Sequence, residues 1–209
     1  MPVNLPLLSE LKSATQQISP GLVVVSKKRS TKDIITLYEN GQNHFAENYV
    51  QEALVKITEL ESCDITWHFI GQIQSRKIKA ICQNFHWIHS IDQKKHIDAI
   101  AKLPLKAPMN TCIQVTLDEQ AHRGGTQPDQ LDELLRHAME NKNIHLRGLM
   151  YMANQHTNIT DQFHLIQKLF LSYQRQYRLD TLSMGISSDY RLALSHGSTL
   201  IRIGNALFN

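Results

Sequence analysis

The chain has 209 residues, 42% of them hydrophobic and 20% charged, with nine glycines, six prolines and a formal net charge of +3. This is a soluble globular composition, long enough for one large domain, and it excludes a collagen-like or low-complexity chain. So mild a charge, with no element on which basic residues concentrate, argues against nucleic acid as a partner.

The opening MPVNLPLLSELK lacks a basic head followed by an apolar run, and no long apolar span follows it. The expectation is a cytoplasmic protein that does not enter the membrane. Within that opening, LPLLSELKSATQQI is amphipathic and predicts a helix before the first strand. Short apolar runs rich in β-branched residues then predict eight strands: LVVVSK (22–27), HFAENY (44–49), TWHFIG (66–71), WIHSID (87–92), TCIQVTL (111–117), LRGLMYM (146–152), LSMGIS (182–187) and LIRIGN (200–205). Between them, apolar residues three and four apart predict seven helices, from TKDIITLYENG to the short DYRLALSHG. Strands alternating with helices imply an α/β fold with a parallel sheet, and eight units imply closure into a (β/α)8 TIM barrel. With the chain ending at Asn209 the last outer helix is missing, and the extra N-terminal helix is placed to cover the gap. An open doubly wound sheet is the alternative. No repeat or linker divides residues 1–209, which are expected to form a single domain.

Alternation within the strands assigns their faces. Ile201 and Ile203 go to the helices, which sends Arg202 and Gly204 into the barrel. Likewise Leu182, Met184 and Ile186 go out, leaving Ser183, Gly185 and Ser187 inside. Trp67, Phe69, Phe45 and Tyr49 go out; His68, Ala46 and Asn48 go in. The inward positions late in the strands are thus small and polar, at the end where barrels carry their active sites. Lys27 shares a face with Val23 and Val25, and Lys28 takes the other. Both faces of this strand are apolar, so parity leaves either lysine as the inward one. A lysine held in an apolar site loses basicity and becomes an amine fit for Schiff-base chemistry.

The stretches VVVSKKRS, GQNHFAENYVQEALVKI, WHFIGQIQSRK, IHSID, LRGLM and LSMGISSDYRLALSHGSTLIRIGNALF, in this order, resemble the pyridoxal phosphate homeostasis proteins. That family has a barrel like the N-terminal domain of alanine racemase. The resemblance implies a monomeric barrel that binds pyridoxal 5′-phosphate without established turnover, Lys27 forming the internal aldimine. It places Ser187 and the segment Arg202, Gly204 and Asn205 around the phosphate, and Arg202 near the pyridine nitrogen. Asn48 and His68 are expected to face the cavity near the ring or its 3′-oxygen, and Met150 to pack on the ring face. No residue is assigned a catalytic role. Pyridoxal-phosphate-dependent apoenzymes are the partners such a carrier would serve. Four positions depart from the family pattern: Asn205 for threonine, Arg76 for asparagine, Gln72 for proline and Arg123 for lysine.

Other signals are weaker. Cys63, Cys82 and Cys112 are odd in number, far apart and form no CxxC, which reads as buried free thiols. The eleven histidines are scattered, His86 and His89 would face opposite ways, and no metal site is expected. Glu47 and Glu52 lie on separate elements and are expected at the surface, with a carboxylate pair as the alternative. SRKIK (75–79) reads as a solvated helix start, with a patch for acidic partners or a second phosphate site as the alternative. The loop at 118–130 is either a surface loop or a lid.

Three functions compete: a pyridoxal phosphate carrier acting in intracellular homeostasis, an amino-acid racemase or other pyridoxal enzyme, and a Schiff-base aldolase. An aldolase needs inward acid–base carboxylates or a second lysine, and no such set is evident. Racemases resembling this barrel take a second base from another domain, whereas this chain ends with the barrel. The carrier is the expected reading.

Overall fold

A computed structural model describes residues 3–18, 21–118 and 124–208. Arg123 and part of the 118–130 loop lie outside the described residues. The elements run α1 (Leu5–Thr15), β1 (Gly21–Val25), α2 (Thr31–Glu39), β2 (His44–Glu47), α3 (Val50–Glu59), β3 (Thr66–Phe69), α4 (Ile78–Asn84), β4 (Trp87–Ile91), α5 (Lys94–Ala101), β5 (Met109–Val115), α6 (Leu131–Met139), β6 (Ile144–Tyr151), α7 (Ile159–Tyr177), β7 (Thr181–Ser183), α8 (Tyr190–Ser195) and β8 (Leu200–Ile203). All eight strands pair in parallel and in sequence order, and β8 closes on β1 with Val23 opposite Arg202. The fold is the expected barrel, not the open sheet. Among the described residues only a short 3-10 turn, Asn205–Leu207, follows β8.

The first helix occupies the place of an eighth outer helix. The Asn4 side chain caps it by accepting from Leu7 N at 3.1 Å, and a proline in its first turn costs no hydrogen bond there. Its buried stripe, Leu8, Leu11 and Thr15, faces the barrel beside β1 and the last turn. The Asn4 amide also donates to Leu207 O at 2.9 Å.

The core has two shells. Outside the barrel wall, Trp67, Phe69, Leu182, Met184, Ile201 and Ile203 are buried in the layer shared with the helices, as their alternation predicts. Fully burying a side chain of this kind contributes about 1.5–3 kcal/mol, so this layer drives closure. Inside, Val23, Ala46 and Leu200 pack together, with Val25 and Ile70 against them. Trp87, Cys112 and Met150 form a second inner group. Polar His68, His89, Ser183 and Arg202 are buried too, and their hydrogen bonds cross the interior.

Most strands stop short of the predicted ends. Lys27, Asn48, Ser187, Gly204 and Asn205 therefore stand on the loops just beyond them. Strand parity consequently fails at Ile186, which was expected on the helix side but lies past β7 and lines the cavity described below. SRKIK begins as a 3-10 turn, Ser75–Lys77, with Ile78 buried and Arg76 exposed beside Gln74. All three cysteines are free thiols; Cys82 and Cys112 are buried, and burial pushes both thiols up to about 12. No helix of the described residues is long and apolar enough to cross a membrane.

Candidate functional site

A cavity of about 380 Å³ opens at the C-terminal ends of the strands, a size ordinary for a small-molecule site. Val25, Ile70, Met150, Met152 and Ile186 supply apolar walls. Lys27, Asn48, Ser187, Ser188, Arg202, Gly204 and Asn205 supply its polar rim and floor. The structure thus brings together seven of the eight residues singled out in the sequence.

The eighth is His68. It lies deeper, fully buried, with both ring nitrogens engaged by other histidines rather than at the cavity wall. Strand parity correctly sends it inward, but depth along the strand is not visible to alternation.

Lys27 is the inward lysine, since Val23 and Val25 continue the same inner face. Its side chain is exposed at the cavity mouth and is not enclosed among apolar side chains. The chain turns sharply here. Arg29 N donates to Ser26 O at 3.0 Å, and Lys28 takes φ 60°, a left-handed conformation uncommon for a residue with a Cβ. Ser30 and Asp33 then close a capping box that starts α2.

Behind this turn lies a cluster that contradicts the surface role expected for Glu47 and Glu52. Lys56, on α3, donates from one ammonium to Glu47 Oε1, Glu52 Oε1 and Ser26 O, each at 2.7 Å. Glu47 is fully buried and also accepts from Ser26 Oγ at 2.8 Å, while its Oε2 is buried without a partner. Burial pushes the Glu47 carboxyl up, and the bonds from Lys56 and Ser26 offset only part of this. Burial also acts to raise Glu52, but the bonds from Lys56 and the Lys28 amide outweigh it and hold that carboxyl low. The i,i+4 spacing of Glu52 and Lys56 was the signal available in the sequence.

On β8, the strand paired with β1, Arg202 is nearly fully buried, and burial pushes its guanidinium down to about 10, still charged at neutral pH. It donates to Ser183 Oγ at 2.7 Å and to Tyr151 O at 2.9 Å. From Ser183 a line of close contacts crosses the barrel: to His89 Nδ1 at 3.1 Å, from His89 Nε2 to His68 Nδ1 at 2.9 Å, and from His68 Nε2 to His44 Nδ1 at 2.9 Å. Burial and the nearby Arg202 charge push His89 down to about 3. Burial and the neighbouring histidines hold His68 well below the usual range. These rings are neutral.

The loop after β7 is fixed by Asp189, which accepts from Ile186 N at 2.7 Å and from Gln155 Nε2 at 2.9 Å. Gly185, early in this loop, takes φ 96°, and a Cβ there would meet that of Ala193 at 2.6 Å, so a side chain would strain the loop. Across the cavity, Gly71 lets the loop after β3 lie against the Asn48 backbone, where a Cβ would meet the carbonyl oxygen at 2.0 Å. The buried Asn48 Oδ1 has no protein partner and is available to a ligand. Of the departures from the family pattern, Asn205 lines the cavity, whereas Arg76 does not. Gln72 borders a smaller adjoining hollow with Asn48, Gln74 and Lys77. Among the described residues no three histidine, cysteine or acidic side chains converge to hold a metal ion.

Comparison with known proteins identifies the family and the fold. The family model described as alanine racemase, N-terminal domain, matches residues 10–209. The chain is 38% identical over 200 residues to the pyridoxal phosphate homeostasis protein of Pseudomonas aeruginosa, covering 90% of this chain and 83% of that one. It belongs to the pyridoxal phosphate homeostasis protein family. PipY of Synechococcus elongatus, solved with pyridoxal phosphate bound, superposes with a TM-score of 0.85 at 33% identity, over 98% of this chain and 97% of that one. Alanine racemase of Corynebacterium glutamicum shares the fold, with a TM-score of 0.73 at 16% identity over 99% of this chain and 61% of the enzyme.

Proposed function

We propose that this protein binds pyridoxal 5′-phosphate in the cavity between Lys27 and Arg202 and acts in its homeostasis as a carrier, without substantial catalytic turnover. The observation that carries this reading is the convergence of Lys27, Arg202, Ser187 and Asn205 on one cavity in a chain 33% identical to PipY, a protein solved with pyridoxal phosphate bound. The residues present suit the group. Methionine and isoleucine side chains can sandwich a flat ring, and the serines and Asn205 offer donors to a dianion. When bound, the cofactor offers an aldehyde that condenses with a primary amine, water leaving as the carbon–nitrogen double bond forms.

Lys27 supplies that amine. Ser187, Gly204 and Asn205, on the loops after β7 and β8, hold the phosphate, and hydrogen bonds to a charged group are the strong ones. Asn48 would offer an acceptor to the ring's polar edge, and Met150 would pack on its face. Arg202 would face the ring nitrogen. A guanidinium has no lone pair to accept a proton and disfavours a second positive charge beside it, so the ring stays a weak electron sink. This disfavours the alternative of a racemase or other pyridoxal enzyme. We read residues 1–209 as a single domain working as a cytoplasmic monomer and delivering cofactor to pyridoxal-phosphate-dependent apoenzymes. Borohydride reduction of the loaded protein, followed by peptide mass analysis, is expected to fix the adduct on Lys27. Labelling confined to Lys28, or a visible band that survives Lys27→Ala, would overturn the assignment.

A further inference from the structure

The buried ion cluster of Lys56, Glu47 and Glu52 does not line the cavity; every bond it sends outward ends on the backbone or hydroxyl of the turn that carries Lys27. Ser26, the residue before Lys27, is fixed four ways. Its amide donates to Ala46 O at 3.0 Å, its hydroxyl to Glu47 at 2.8 Å, and its carbonyl accepts from Arg29 N and from Lys56 Nζ. On the other side of Lys27, the Lys28 amide donates to Glu52 Oε1. Both peptide groups flanking Lys27 are therefore held by one cluster.

That grip has a purpose in the local geometry. Lys28 sits in the left-handed region, which disfavours any residue with a Cβ, and a turn of this kind ordinarily carries glycine there. Left alone, the Lys27–Lys28 peptide would relax, and the Lys27 side chain would swing with it. The hydrogen bond from the Lys28 amide to Glu52 holds the peptide in its unrelaxed orientation. Three ammonium protons meet three acceptors on Lys56, so its donors are fully used and its position is fixed.

We propose that Lys56, Glu47 and Glu52 are positioning residues that aim the Lys27 amine into the cavity. This rests on the reading that Lys27 condenses with pyridoxal phosphate. The amine adds to the aldehyde carbon, and water leaves as the double bond forms. That step requires the nitrogen to reach the carbon along one line, whereas holding the ring and phosphate does not.

The test compares pyridoxal 5′-phosphate with 4′-deoxypyridoxine 5′-phosphate, in which a methyl group replaces the aldehyde and no condensation is possible. Lys56→Met should bind the deoxy compound within about threefold of the unaltered protein, and pyridoxal phosphate at least about tenfold more weakly. Lys56→Arg should recover part of the difference. Equal loss for both compounds would mean that the cluster only supports the barrel, and loss for neither would mean that it does not aim Lys27. Either result overturns the proposal. If Lys56→Met does not fold, Glu52→Gln, at the more exposed edge of the cluster, provides the same comparison, and the same two results overturn the proposal there. In the apoprotein Glu52→Gln should also speed hydrogen exchange of the Lys28 amide by roughly tenfold, and unchanged exchange overturns the clamp without any cofactor present. Failure of the unaltered protein to bind either compound would instead remove the cofactor reading, and this proposal with it.

Discussion

The Arg202 guanidinium lies 2.7 Å from Ser183 Oγ, and this contact polarises the barrel interior. Having no acceptor, Arg202 must donate to that oxygen. Its charge favours lone pairs turned toward it, so the Ser183 hydroxyl donates onward to His89 Nδ1. His89 and His68 then each donate from Nε2 to the next ring, ending at His44 Nδ1. The expected result, by nitrogen-15 NMR of labelled histidine, is three neutral rings protonated on Nε2. Arg202→Met should introduce Nδ1-protonated forms, including at His68, which Arg202 does not touch. A wild-type ring protonated on Nδ1 would refute the polarity.

The same chain makes folding sensitive to acid. His89 is held near 3 in the folded protein against an ordinary 6.5. Between those values the unfolded chain binds a proton that the folded one lacks, so stability falls as pH drops below about 6.5. Each such histidine contributes roughly 1.4 kcal/mol per pH unit in that window, and His68 acts in the same direction. Urea denaturation from pH 7 to 5 should show this slope, shallower by about one proton in His89→Gln. An unchanged slope would mean that folded His89 already carries the proton.

Retention of the cofactor should depend chiefly on its phosphate. Hydrogen bonds to a charged group contribute roughly 1.5–3 kcal/mol each. Pyridoxal lacking the phosphate is therefore expected to bind at least about a hundredfold more weakly, a gap of roughly 2.7 kcal/mol. Ser187→Ala should weaken binding without abolishing the visible band at high cofactor, and Asn205→Thr should hold or improve affinity. Titration of the visible band with both aldehydes checks all three, and equal affinities would place the phosphate elsewhere.

On the proposed placement of Arg202 beside the ring nitrogen, that nitrogen would carry no proton, and amino acids should not lose their α-hydrogen at enzyme-like rates. A panel of L- and D-amino acids incubated with loaded protein in heavy water provides the measurement. Rapid exchange with any of them would favour an enzyme.

Much of this was legible from the sequence because barrel strands alternate. The pairs Ile201 with Ile203 and Leu182 with Met184 reveal the outer shell, and through it the inward Arg202 and Ser183. Alternation loses force where strands end. Ile186, past the end of β7, lines the cavity instead of facing the helices, and the choice between Lys27 and Lys28 needed the turn itself. Long-range partners were less visible still. His44, His68 and His89 come from three strands, and nothing local marks them as neighbours. Glu47 and Glu52 read as solvent-facing carboxylates in the sequence, and only the fold shows Lys56 reaching back between them.

Trp87 gives the protein an optical gauge of its own. Its indole stacks on His68 at 5.4 Å, lies under the Arg147 guanidinium at 4.6 Å, and shares the inner group with Met150, a wall of the cavity. A ligand absorbing visible light in that cavity would sit one side chain away from this emitter. Filling of the site should therefore dim the indole fluorescence without any added dye. Trp67, the other of the two tryptophans, faces the helices and supplies a steady background. In Trp87→Phe the dimming should largely vanish while the visible band remains, so occupancy can be followed in dilute solution by light the protein emits itself.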